Sequence, residues 1–128
     1  MSPRRRPGPS TAAPLPFDVE RVRAGLEAGS GGYEVVHDSP GLEMGVYVLV
    51  APEPDRQQPH EDDEVYLVLE GRGVLEIEGT PVPLERGQGV FVPAGADHRF
   101  TAYEQLSVLV LFDRRAGRRR ESTATRPV

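Results

Sequence analysis

The chain of 128 residues contains no cysteine. That absence excludes a disulfide scaffold, thiolate zinc sites and cysteine nucleophiles, so any metal site must use histidine, carboxylate or amide oxygen. Lysine is also missing, and all fifteen basic residues are arginine. No stretch approaches the ~20 apolar residues of a membrane span, which argues against a membrane partner. The N-terminus begins with positive charge, but Pro7-Gly8-Pro9-Ser10-Thr11 stands where the apolar core of a signal peptide would lie. A cytoplasmic location is the expectation.

The charge that is present is unevenly placed. Residues 1–16 carry three arginines and no acid, and residues 114–128 carry six arginines against Glu121. Residues 17–113 hold nineteen acids against six arginines, a net charge of −13. We read residues 1–16 and 114–128 as disordered basic tails, because Pro, Arg, Ser and Ala without apolar periodicity cannot bury a core. Residues 17–113 are then a single domain. The arginine clusters suit phosphate, but they lack interleaved aromatic residues and a recognition motif, and they flank an acidic body. No nucleic-acid partner is expected.

Within the body, Phe17 to Ala28 reads as a short helix with Asp18 as N-cap and Val19, Val22 and Leu26 on one face. Thereafter the period is that of strands. The expected strands are Tyr33–His37, Leu42–Val50, Glu64–Leu69, Val74–Glu78, Pro81–Leu84, Val90–Val92, His98–Ala102 and Leu106–Phe112. Turn residues separate them, among them Glu70-Gly71-Arg72-Gly73 and Arg86-Gly87-Gln88-Gly89. Eight short strands at this spacing predict an all-β antiparallel sandwich or barrel, with Pro81 and Pro83 holding their strand to an edge. Val46–Val50 and Val108–Leu111 are apolar on both faces. Their second face needs a cover, either the short helix or a second subunit, and a homodimer is the expectation.

Three histidines occur. His37 fits no pattern and reads as a surface or rim residue. His60 opens the acidic run His60-Glu61-Asp62-Asp63-Glu64, and His98 follows the turn Pro93-Ala94-Gly95. Gln58 and His60 point to one side of an extended chain, while Tyr66 and Val68 share the face of Glu64. The run is either solvated surface charge or part of a metal site. Two imidazoles and one carboxylate form a facial ligand set with open positions, as in non-haem Fe(II) oxygenases. Gln58 either adds a neutral oxygen ligand or hydrogen-bonds His60.

These residues resemble the two motifs of the cupins. Gln58-Pro59-His60, Glu64 and Gly71 stand at the offsets of the first motif, and Gly87, Pro93, Gly95 and His98 at those of the second. Fifteen residues separate Gly71 from Gly87, which matches the spacer of compact single-domain microbial cupins. Gln58 replaces the first histidine, Pro52 the opening glycine and Ala102 the closing asparagine. The resemblance spans roughly residues 33–113 and implies a double-stranded β-helix, or jelly-roll barrel. It implies His60, Glu64 and His98 as metal ligands, with Gln58 as a weaker fourth. Fe, Mn and Ni suit that set and Zn is possible, since exchanging an imidazole for an amide favours harder ions. Tyr66 and Phe100 share faces with Glu64 and His98 and should line the pocket around a small-molecule substrate. The implied activity is dioxygenase-type oxidation of a small organic acid or aromatic. Isomerase, epimerase or lyase chemistry on a sugar or polyketide-like substrate and non-catalytic ligand binding are the alternatives.

Overall fold

A computed structural model describes residues 14–56 and 60–114. Helix α1 (Val19–Ala28) precedes six strands: β1 (Gly32–Ser39), β2 (Leu42–Val50), β3 (Asp63–Ile77), β4 (Thr80–Glu85), β5 (Gly89–Val92) and β6 (His98–Asp113). They form one antiparallel sheet in the order β1-β2-β6-β3-β4, and β5 pairs with the first half of β3. The architecture is the expected all-β jelly roll with one short helix. Strand β4 pairs only with β3, so Pro81 and Pro83 do lie on an edge.

The structure has six strands where the pattern of residues predicts eight. Glu64–Leu69 and the expected Val74–Glu78 fall in one continuous strand that ends at Ile77, and His98–Ala102 and Leu106–Phe112 also lie in one strand. The segment Glu70-Gly71-Arg72-Gly73 is therefore a bent stretch inside β3 and not a turn. Register against β6 slips between Val68 and Glu70 and again between Gly71 and Gly73. Gly71 has φ +82°, and a Cβ there would run into the Gln105 carbonyl oxygen of the partner strand. Glycines mark both turns and bulges, and the close approach of β6 makes this one a bulge.

Strands β3 and β6 thus make one long ribbon, folded over at the bulges. Residues 64–68 pair with 108–112 in one half, and 73–77 with 98–103 in the other. Folding brings the two ends together, so Glu64 from one end meets His98 from the other at 3.0 Å. Tyr66 and Phe100 pack edge to face between the halves, with ring centroids 5.1 Å apart. Val68, Val108, Val110 and Leu106 continue this core toward the bend.

Both faces of β2 are covered. Tyr47 and Leu49 join the core, while Val46 and Val48 point outward yet are fully buried. Ser107, the register partner of Val48, donates to Glu27 of α1 at 2.7 Å, which places the helix over that face. Asp18 caps the helix by accepting from the Arg21 amide at 3.0 Å, and Val19, Val22 and Leu26 lie half-buried on one side. The helix therefore supplies the cover over β1 and β2. It does not reach the β3–β5 end of the same outer face, where Val65, Leu67 and Phe91 remain exposed.

After β2 the chain runs toward His60 through a loop tied down by buried Asp55. Its carboxylate accepts from the Tyr47 hydroxyl at 2.7 Å and the Phe100 amide at 2.8 Å. Burial and the Asp55 charge push the Tyr47 phenol well above its ordinary pKa, so Tyr47 remains the donor. Loss of this carboxylate would leave two buried donors without a partner, at a cost of about 1–3 kcal/mol each.

Candidate metal centre

Three elements converge at the open end of the folded ribbon. Glu64 is the second residue of β3, with its side chain on the inner face. His98 is the first residue of β6. His60 lies just ahead of β3, and its carbonyl accepts from the Gly95 amide at 2.6 Å. Its ring stands edge-on to Phe112, with centroids 5.0 Å apart. All three side chains are buried, at 7%, 1% and 2% exposure for His60, Glu64 and His98. One ligand atom from each lies within 4.8 Å of the others, an arrangement that can hold a metal ion.

The turn before β6 organises the group. Gly95 anchors the His60 backbone, the Ala94 amide donates to Asp63 Oδ1 at 2.9 Å, and the Ala96 carbonyl sits 2.8 Å from His98 Nδ1. A carbonyl can only accept, so Nδ1 carries the proton and Nε2 of the neutral ring presents a lone pair. That lone pair faces Glu64 Oε1 at 3.0 Å. The contact lacks hydrogen-bond alignment, and neither Glu64 oxygen nor His98 Nε2 has a hydrogen-bond partner. Two buried acceptors at this distance repel unless a proton or a cation joins them. Burial alone would lower the His98 pKa, but the Glu64 carboxylate facing the ring and the Ala96 carbonyl at Nδ1 outweigh it and hold the pKa above its ordinary value. The same field that favours a proton favours a divalent ion, which takes two imidazoles and a carboxylate as ligands.

Tyr66 and Phe100 lie beneath the cluster. Tyr66 is fully buried, with its ring 6.0 Å from that of His98, and Phe100 packs against Tyr66. Both also belong to the hydrophobic core. His37 sits apart on β1, with Nε2 2.9 Å from the Ser39 hydroxyl. Gln58, the fourth candidate ligand, lies outside the described residues. The pattern of residues gave no sign of Asp55, of buried Glu43 or of the backbone groups of the 94–96 turn. An open cleft of about 900 Å³, flanked by Arg72, Gln88 and Gln105, lies at the bend of the ribbon and includes none of the three ligand candidates.

Comparison with known proteins decides the family, since a cupin-domain model matches residues 46–112. The chain belongs to the cupins. This cupin is 36% identical over 97 residues to an uncharacterized protein of Streptomyces coelicolor, which covers 75% of this chain and 92% of that protein. It is 34% identical over 110 residues to an acireductone dioxygenase of Leishmania major, which covers 74% of this chain but 32% of the enzyme. The crystal structure of a salicylate 1,2-dioxygenase from Pseudaminobacter salicylatoxidans superposes with TM-score 0.64 at 17% identity, over 74% of this chain and 32% of that one. The cupin thus spans about a third of the length of either dioxygenase.

Proposed function

We propose that this cupin is a metal-dependent oxidoreductase of the dioxygenase type, acting on a small organic acid or aromatic compound. One observation carries the reading: the buried Glu64 carboxylate and His98 Nε2 face each other at 3.0 Å without hydrogen-bond alignment, with His60 beside them. Similarity to acireductone dioxygenase over three-quarters of the chain supports it. His60, Glu64 and His98 would hold the ion, with Gln58 as a further oxygen ligand. Fe(II), Mn(II) and Ni(II) suit this nitrogen and oxygen set best, and Zn(II) is accepted by it as well. A redox-active divalent ion supplies open coordination positions at which an oxygen-chelating substrate and O₂ can meet.

The chain's own residues do the rest. The Ala96 carbonyl fixes the His98 ring, as the outer partners of ligating histidines commonly do. The Glu64 carboxylate offsets part of the cation charge, and Phe112, Tyr66 and Phe100 keep bulk water from the inner side of the cluster.

The test is oxygen consumption by protein loaded anaerobically with Fe(II), Mn(II) or Ni(II) and offered catechols, enediols and small organic acids. Oxygen uptake should match substrate loss, stop on chelation and return with one of the metals. Turnover that proceeds equally without oxygen would establish an isomerase or lyase instead. A ligand-dependent rise in melting temperature with no turnover would identify a binding protein.

We also propose that a second copy of the chain covers Val65, Leu67 and Phe91, since one apolar patch meeting itself about a two-fold axis buries both copies. Light scattering should give the mass of a dimer for the unaltered protein and of a monomer for Phe91→Glu combined with Leu67→Glu. A monomer before substitution refutes the pairing.

A further inference from the structure

The pairing of β5 with β3 ends at a proline, and a side chain takes over there. Glu64 is the register partner of Val92, so Asp63 stands beside Pro93, the next residue along. Proline has no N–H to donate, and the backbone ladder cannot continue past it. Asp63 Oδ1 instead accepts from the Ala94 amide at 2.9 Å, joining two segments 31 residues apart. Alternation along β3 turns Asp63 outward to an exposed position and Glu64 inward to a buried one. The bond therefore lies beside the cluster and not within it.

The segment it holds is a tight turn. The Ala96 amide donates to the Pro93 carbonyl at 3.1 Å, and Gly95 has φ +83°. Those features define a type II turn with Ala94 and Gly95 at its centre. On one side, Gly95 and Ala94 donate to the His60 carbonyl and to Asp63, which precedes Glu64 in the chain. On the other, the Ala96 carbonyl sits 2.8 Å from His98 Nδ1 and sets the direction of the ring. The turn thus spans the gap between His60 and Glu64 on one segment and His98 on another. The His60 tie is main chain to main chain, whereas the Asp63 tie is a side chain that a substitution can remove.

Given the metal reading above, on which this rests, we infer that Asp63 is a positioning residue of the metal centre. Through Ala94 it fixes the turn that aims His98 at His60 and Glu64, and its acceptor oxygen, not its negative charge, does so. Ligand sets need placement within about 0.5 Å. Outer partners of ligating residues commonly change metal affinity about 10–100-fold. Asp63 acts one bond further out, so the lower figure applies.

The experiment uses full-length protein, stripped and reloaded with Co(II), whose visible bands report coordination geometry. Failure of the unaltered protein to bind about one ion per chain removes the metal reading and this inference together. Given loading, competition with a chelator should show Co(II) affinity about tenfold lower in Asp63→Ala, with shifted bands. Asp63→Asn keeps an acceptor oxygen in place and should stay within about threefold, with its bands unmoved. Ala94→Pro breaks the same bond from the other end, leaves the Asp63 carboxylate intact, and suits a position where type II turns favour proline. It should also cost about tenfold, and Asp63→Ala combined with Ala94→Pro no more than either alone, since both remove one bond. If Asp63→Ala does not fold, Ala94→Pro and Asp63→Asn decide the matter. A loss in Asp63→Asn as large as that in Asp63→Ala, or none in Ala94→Pro, overturns the positioning role. So does an Asp63→Ala protein whose loaded and metal-free melting temperatures fall equally at unchanged cobalt affinity, because the bond would then serve the fold alone.

Discussion

His98→Ala is expected to lower divalent-metal affinity more than about 100-fold, because changes even to the outer partners of metal ligands commonly cost about 10–100-fold. The substitution removes one of three converging donors and leaves the buried Glu64 carboxylate facing a space once filled by an imidazole. Elemental analysis after chelator stripping and reloading reads the effect directly. The unaltered protein should regain about one ion per chain and His98→Ala far less, and His60→Ala should behave alike if both imidazoles bind the ion. His37→Ala is the control: its ring bonds Ser39 at the β1–β2 hairpin and should leave metal content unchanged. Full metal retention by both His98→Ala and His60→Ala would show that the ion sits elsewhere.

The convergence of His60, Glu64 and His98 was legible in the sequence because two spacings act at once. The offset from His60 to Glu64 carries the chain from the loop into the inner face of β3, and the Pro93-Ala94-Gly95 turn delivers His98 at the start of β6. Residues that depend on long-range folding were not legible. The union of eight segments into six strands depends on β6 lying against Gly71, which a glycine signal cannot distinguish from a turn. Asp55 looks like one acid in a Pro-rich loop, and only the approach of Tyr47 and Phe100 gives it two donors. Glu43 reads as the polar partner in an alternating strand. Its burial follows from β1, which brings Tyr33 across to it. The apolar second face of β2 was legible, but the choice between helix and subunit was not. The Ser107–Glu27 hydrogen bond makes it the helix on the β1–β2 side.

The stabilisation conferred by metal should grow with pH, with the sign set by His98. Its folded-state pKa lies above the ordinary 6.5, because Glu64 and the Ala96 carbonyl outweigh burial. In the metal-free protein, protonated His98 therefore adds stability that is fully present below about pH 6.5 and lost as pH rises through the raised folded value. Metal binding runs the other way, since coordination needs the unprotonated ring and the proton competes for the same lone pair. The gap between loaded and metal-free melting temperatures should be widest at high pH. Ligand at 100 times its Kd adds about 2.7 kcal/mol, which for a domain of this size is about 10–20 °C. Acidification below the folded His98 pKa should collapse that gap, as the proton displaces the ion and holds Glu64 and His98 together in its place. Taking the difference between the two forms cancels titrating groups elsewhere, such as Glu20 on α1, which affect both equally. Melting curves with and without Mn(II) from about pH 5 to about pH 8.5 measure it. A gap that stays constant across that range would mean the ion does not compete with the His98 proton, and the site would have to be sought in other residues.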